Sequence, residues 1–312
     1  MKKLSILFFA LSVTLVTSCG EKPQKSGEEL LKDSKKTDEK GTTAFSIEVL
    51  NDIVKSIPTP LEISFLIKDL DILYDKSILN SAENTNKYNT DHKRALNLGV
   101  YSTNLGYANI YKQTQDGLYY LKAVKDMADA LKIGQFFDFN TIKKLAISGS
   151  DSDSLLNVTT SNLESINDHL QDKKRSDLTI LILAGGWIES LHLTCEVAKK
   201  QPNELLNNRI GEQKVVLDQL LVLLSFYHED EKIKELQTDM NNLSKIYESV
   251  KITYKTDESS QKKPSTTETK TSSGADILMV DPGGTSSEIV FTTKDLENIS
   301  AKVKEIRKKI TD

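Results

Sequence analysis

One apolar segment constrains the fold more than any other feature of the chain. Residues 178–193 read LTILILAGGWIESLHL. A helix that is apolar on nearly all sides must be surrounded by other elements, so this segment predicts the central helix of a helical domain. Glu189 and His192 interrupt it and charged residues flank it, which favours a core helix over a membrane span. Residues 210–227 are nearly as apolar and predict a second central helix.

The remaining body of the chain repeats a helical pattern with few interruptions. Apolar residues recur at intervals of three and four, and the 312 residues include only 14 Gly and 6 Pro. This pattern predicts an all-α fold, a multi-helix bundle of antiparallel helices. The other predicted helices cover residues 45–57, 60–74, 92–113, 116–133, 140–148, 155–170, 231–254 and 294–310. Gly134 follows one of them and is predicted to be its C-terminal cap.

Two polar segments divide the chain. Residues 19–43 are predicted to be a flexible tether and residues 44–254 the helical domain. Residues 255–290 form a Ser/Thr/Lys-rich linker. Within it, residues 277–280 and 289–291 flank an Asp-Pro-Gly-Gly turn, as either a short hairpin or extended chain. Residues 291–312 form an amphipathic C-terminal helix, which we expect to dock on its own bundle, with a partner protein as the alternative.

The two halves of the body show a short internal similarity. Gly99, Tyr101 and Leu105 align with Gly185, Trp187 and Leu191 at a constant offset of 86 residues. Two interpretations remain open, a pseudo-repeat of helical units and a chance match between short helices of similar composition.

The first 20 residues read MKKLSILFFALSVTLVTSCG. A basic start, a short apolar run and small residues before Cys19 are typical of a secretory signal peptide spanning residues 1–18. The sequence Val-Thr-Ser-Cys that ends at Cys19 resembles the lipobox of bacterial lipoproteins. The resemblance covers the leader only and implies that Cys19 receives acyl chains and becomes the new N-terminus. Residues 44–312 resemble no characterised family.

The resemblance also implies a location. An Asp directly after the lipidated Cys retains lipoproteins in the inner membrane, whereas Gly20 occupies that position here. We therefore expect the protein in the cell envelope, anchored by lipid to the outer membrane. A tether of about 24 residues has a typical end-to-end span of about 25–30 Å, which would hold the body near the bilayer but off its surface.

The strongest candidate for chemistry lies on the predicted central helix. Glu189, His192 and Glu196 share one face, and Cys195 follows within a turn. A Glu-x-x-His pair is used by di-metal bundles, and a Cys–His pair can supply a nucleophile and its base. No second Glu-x-x-His and no further catalytic motif accompanies them. A polar patch in which Glu189 or Glu196 satisfies His192 is the simpler interpretation.

A second candidate is an aromatic cluster. Tyr101, Tyr107 and Trp187 stand among further tyrosines and asparagines at helical spacing. Such side chains combine apolar area with a polar group, as small-ligand sites require, and they also fill ordinary cores. We treat core packing as the leading interpretation and a ligand pocket as the alternative.

Composition and missing motifs limit the function. The formal net charge is −4, and basic residues form no concentrated face, so nucleic acid is not a predicted partner. Nucleotide-binding loops and hydrolase motifs are absent from the sequence, and no cofactor or metal is predicted. We therefore predict a non-enzymatic, lipid-anchored binding or scaffolding protein with a protein partner in the envelope. The alternatives are a metal protein or enzyme centred on Glu189, His192 and Cys195, and a small-ligand carrier.

Overall fold

The computed structural model describes residues 60–148, 152–256 and 285–312. Cys19, the leader, the tether and the predicted helix at residues 45–57 lie outside these residues. The all-α bundle is confirmed, with one two-stranded sheet. The described elements are α1 (Pro60–Asp69), α2 (Asp91–Ile110), α3 (Thr114–Ala130), α4 (Phe139–Ser148), α5 (Ser152–Asp172), α6 (Ser176–Lys200), α7 (Glu204–Ser225), α8 (Glu231–Tyr247), β1 (Lys251–Thr256), β2 (Thr285–Val290) and α9 (Thr293–Thr311).

Side-chain caps start most of the long helices where polar residues precede apolar periodicity. Thr90 accepts a hydrogen bond from the Lys93 amide at the start of α2, and Asn203 caps α7 in the same way. Thr292 and Asp295 form a reciprocal capping box at the start of α9. These caps satisfy amides that a helix leaves unpaired, so the sequence defines helix starts well.

The ends of the helices are harder to predict from the sequence than their starts. Lys112, Lys132 and Lys174 have φ values of 56°, 61° and 56°, and each stands just beyond a helix in the left-handed conformation that usually selects glycine. The amides of the next residues reach back to the helix, as in Ile133 N to Ala128 O at 2.9 Å. The predicted cap at Gly134 is therefore wrong, because Lys132 turns the chain two residues earlier.

The helix α6 is the core, as predicted. It alone among the described helices is long and apolar enough to cross a membrane, yet 94% of that window is buried in the protein. The helix α2 runs parallel to α6, since Arg175 and Asp91 meet at 3.4 Å where both helices begin. The sequence did not predict this parallel pair.

Glycine permits the close approach of α2 and α6. A Cβ atom on Gly99 would lie 2.0 Å from the Ile182 carbonyl oxygen, and one on Gly185 would lie 2.0 Å from that of Leu96. Adding 86 to Leu96 and Gly99 gives Ile182 and Gly185, so each contact is the counterpart of the other. The aligned segments therefore pack side by side as a local pseudo-two-fold pair. A repeat of larger units stays a prediction.

The C-terminal part of the body differs from the prediction in α8 and in the linker of residues 255–290, both ends of which lie in strands. The helix α8 ends at Tyr247 rather than at residue 254, and residues 251–256 form β1. β1 pairs antiparallel with β2, from Lys251 opposite Val290 to Thr256 opposite Thr285. Residues 277–280 lie outside the described residues. The helix α9 docks on its own bundle as expected, burying Ile299, Val303 and Ile306.

Candidate functional site

A buried ion pair joins α6 to α9 in the core. Glu189 is fully buried, and the Arg307 guanidinium binds both of its carboxylate oxygens. Arg307 Nε lies 2.5 Å from Oε2, and Nη2 lies 2.9 Å from Oε1. Nη2 also donates to the Ile78 carbonyl at 3.3 Å. A two-pronged guanidinium satisfies a buried carboxylate in a way that a lysine cannot, so this pair neutralises the predicted site residue Glu189.

His192 lies beside this ion pair and carries no charge at neutral pH. Burial and the neighbouring Arg307 charge lower the pKa of His192 to about 4, against the opposing pull of Glu189 and Glu196. Its Nδ1 atom is buried and has no hydrogen-bond partner within the described residues. Glu189 is committed to Arg307, so the expected Glu189–His192 pairing does not form.

The other two residues of this candidate face, Glu196 and Cys195, lie apart from the ion pair. Glu196 binds Lys199 at 2.7 Å near the surface. Cys195 is fully buried, and burial raises the pKa of its thiol far above the ordinary value. A buried, protonated thiol is a poor nucleophile. Within the described residues, no group of three or more His, Cys, Asp or Glu side chains is close enough to hold a metal ion.

Tyrosine hydroxyls hold the irregular segment between α1 and α2 against the core. Tyr101 donates to the Ser81 carbonyl at 2.9 Å, and Tyr111 donates to the Ile72 carbonyl at 2.5 Å. Tyr107 accepts from the Asp75 amide at 3.3 Å. Tyr101 and Tyr107 are fully buried, and both hydroxyls contact this segment's backbone. The arrangement favours core packing over a ligand pocket.

Trp187 is also a buried side chain whose polar group is bonded within the protein. Its indole Nε1 donates to Oε1 of Gln213 on α7 at 2.8 Å, and the ring is buried. Asn104 and Asn109 are exceptions among the polar groups near the tyrosines, because both are buried and none of their side-chain amide atoms has a partner within the described residues. Tyr101 and Tyr107 thus bind the segment between α1 and α2, and Trp187 binds α7. Of the predicted site residues that the structure describes, only Glu189 and His192 lie together, beside Arg307.

Arg307 is the site residue that the sequence analysis missed. In the sequence it is one of five basic residues on the polar side of the predicted last helix. Two signals distinguish it, since it is the only arginine among lysines and it directly follows Ile306 of the apolar stripe. Arginine is the residue that pairs with buried carboxylates, and Glu189 in an apolar segment is a carboxylate that needs such a partner.

Comparison of the chain with protein-family models, with curated proteins and with solved structures found no match.

Proposed function

We propose that this protein is a lipid-anchored envelope protein whose helical body acts by contact with a protein partner rather than by catalysis. The single observation that carries the proposal is the leader, in which a basic start, a short apolar run and the Val-Thr-Ser-Cys sequence end at Cys19. Acylation of Cys19 attaches the body to the outer membrane, and removal of residues 1–18 leaves the lipidated cysteine as the N-terminus.

The chemistry of the body supports a binding or scaffolding role. The polar groups that suggested catalysis are used internally, since Glu189 is neutralised by Arg307 and Cys195 is buried with a raised thiol pKa. The tyrosine hydroxyls of the predicted ligand cluster hold backbone segments. These contacts stabilise a closed core and leave the surface as the part that meets other molecules.

Metabolic labelling tests the anchor. The full chain is expressed in a Gram-negative host that is fed an alkyne fatty acid, and the N-terminal peptide is analysed by mass spectrometry. We expect label, an acylated Cys19 and recovery in the membrane fraction. Cys19→Ser should lose all three, because no other accessible thiol takes the place of Cys19.

Cys195→Ala is the matched control, since it removes the other cysteine and should keep both the label and the membrane recovery. An uncleaved or unmodified N-terminus in the native protein would overturn the proposal. Photo-crosslinking of the anchored protein in the envelope then tests for a partner, with the crosslinker placed at a series of surface positions. If no position gives a crosslink to another protein, the scaffolding role is contradicted.

A further inference from the structure

Exposed apolar side chains gather at one end of the bundle. Five large hydrophobic residues are exposed within the described residues, and four of them belong to this end: Leu73 at 80%, Ile147 at 54%, Tyr119 at 53% and Leu205 at 48%. The fifth, Val290, lies on β2. We call the region where α2 and α6 end and α3 and α7 begin the proximal end.

Hydrogen bonds and ion pairs place Leu73 and Tyr119 there. Leu73 follows Ile72, whose carbonyl accepts from Tyr111 at the end of α2. Asp75 forms an ion pair with Lys200, the last residue of α6. The Lys76 ammonium lies 6.0 Å from the centre of the Tyr119 ring, and Tyr119 stands in the first turns of α3.

Leu205 and Ile147 belong to the same end. Leu205 is the second residue of α7, which begins four residues after α6 ends. Ile147 lies two residues beyond Leu145, which packs with Phe65 against Ile110, the last residue of α2. Four segments that are distant in sequence thus bring apolar surface to one end of the bundle.

The chain also joins the described body at this end. Pro60 begins α1 five residues before Phe65, a rise of about 7.5 Å along a helix. The anchor side of the chain therefore meets the body beside the exposed apolar surface. Phe65 itself packs there against Ile110.

We propose that the proximal end rests on the lipid bilayer, with Leu73, Tyr119, Ile147 and Leu205 in contact with the acyl and headgroup region. The inference depends on the proposed lipid anchor at Cys19. Tyrosine is favoured where hydrocarbon meets water, which suits Tyr119 at this end. The occupant is the bilayer surface of the membrane that holds the anchor.

Tethering makes a weak contact sufficient. A short flexible tether gives an effective concentration in the millimolar range, and a contact with a Kd of about 1 mM is then about half occupied. Such a contact corresponds to about 4 kcal/mol, and burying a leucine or isoleucine side chain fully contributes about 1.5–3 kcal/mol. Partial insertion of four side chains supplies energy of this size.

The contact is expected to be apolar rather than electrostatic. Lys76 and Lys200 at the proximal end form ion pairs with Asp116 and Asp75. A lysine that is already paired with an aspartate adds little attraction for anionic lipid. Zwitterionic phosphatidylcholine should therefore support the contact.

Fluorescence quenching tests the proposal in the lipidated full chain. Leu73→Cys is labelled with bimane, and the protein is reconstituted in phosphatidylcholine vesicles that contain doxyl-labelled phosphatidylcholine. We expect loss of about half of the emission, in line with half occupancy. His228→Cys is the matched control, because its side chain is 63% exposed in the turn after α7, about 30 Å from the start of that helix. Its emission should be retained.

A double substitution tests whether apolar contacts cause the quenching. Leu73→Ser combined with Leu205→Ser should lower the quenching of a probe at Ile147→Cys by at least about twofold, because two apolar contacts are lost. Equal quenching at positions 73 and 228, or no quenching at 73, would overturn the proposal. A Leu73→Cys thiol that resists labelling would also overturn it, because another protein segment would then cover this end.

The anchor is checked in the same preparation. Cys195 is buried, so a chain without an engineered cysteine takes up label only if Cys19 is unacylated. Label at Cys19 would overturn both the proposed function and this inference. An acylated Cys19 with no quenching at position 73 would overturn this inference alone.

Discussion

Glu189 and Arg307, 118 residues apart in sequence, form a two-pronged ion pair in which the carboxylate is fully buried. The pair connects the most apolar helix, α6, to the last helix, α9. A charge inside an apolar core is tolerated only when it is paired and hydrogen-bonded, so neither residue is free to change alone. The position of α9 on the bundle depends on this contact as well as on its apolar stripe.

Removing one partner of the pair should destabilise the protein strongly. We expect Arg307→Ala to lower the free energy of unfolding by about 3–5 kcal/mol, since Glu189 would be left buried without a counter-charge. Urea denaturation followed by circular dichroism measures the change. Lys308→Ala is the control, because Lys308 is exposed and should change stability by less than about 0.5 kcal/mol.

Replacing both partners should cost much less than replacing one. The variant Glu189→Leu with Arg307→Met removes the charges together and keeps apolar volume, so its stability should lie within about 2 kcal/mol of the native chain. A loss below about 1 kcal/mol for Arg307→Ala alone would show that the pair contributes little.

Alanine at the central glycines should prevent the close approach of α2 and α6. A Cβ on Gly99 or Gly185 would meet backbone atoms at 2.0 Å, and backbone atoms cannot move aside cheaply. We expect Gly99→Ala and Gly185→Ala each to cost more than about 3 kcal/mol, measured by thermal and urea unfolding.

Gly134→Ala provides the matched comparison. There the nearest atom is Oδ1 of Asp129, the end of a side chain that can rotate away. This variant should change stability by less than about 1 kcal/mol in either direction. Comparable losses at Gly99 and Gly134 would contradict the close backbone contact.

Stability should fall on acidification before most carboxylates titrate. The pKa of His192 is about 4 when folded and 6.5 ordinarily, so the unfolded chain binds a proton between these values that the folded chain does not. The contribution of neutral His192 to stability is therefore fully present above about pH 6.5. It is lost as the pH falls towards 4, which lowers the free energy of unfolding by up to about 3 kcal/mol. Urea unfolding at a series of pH values measures the slope.

The slope identifies the group. His192→Asn should reduce the dependence between about pH 6.5 and pH 4 and leave the part due to His92, whose pKa is also lowered by burial. An unchanged slope in His192→Asn would assign the effect to other groups.

Glycine should stabilise the ends of helices where lysine is left-handed. Lys132 has a φ of 61°, a conformation that costs an L side chain free energy and costs glycine almost none. Lys132→Gly is expected to raise the free energy of unfolding by about 0.5–1 kcal/mol. Lys125→Gly, inside α3, should instead lower it by about 1 kcal/mol. The same sign for both variants would contradict the assignment of the helix end.

Local patterns predicted the helical elements well. Apolar spacing located α2, α3, α6, α7 and α9, because a helical face that must be buried is written directly into the sequence. The pattern failed at residues 251–256, where Ile252 and Tyr254 continue an apolar series that also suits a strand. Pairing with β2, about 30 to 40 residues later, decided that the segment is β1.

The candidate site was only half visible in the sequence. Glu189 and His192 stood out because polar residues interrupt an apolar run, and both are buried as that position implies. Of the two expected partners of His192, Glu189 instead binds Arg307 on a distant helix with both of its oxygens, and Glu196 binds Lys199. Tyr101 and Tyr107 were recognised as buried aromatics, whereas their hydroxyl partners lie in a segment with no regular pattern.

The sequence by itself determined where most of the described helices lie and which of their faces are buried, because these properties depend on neighbouring residues and short repeats. Only the tertiary structure decided that α2 and α6 run parallel across Gly99 and Gly185, and that Arg307 neutralises Glu189. Such choices depend on contacts between segments about 80 to 120 residues apart, where many pairings satisfy the same local pattern and packing with charge neutralisation selects one.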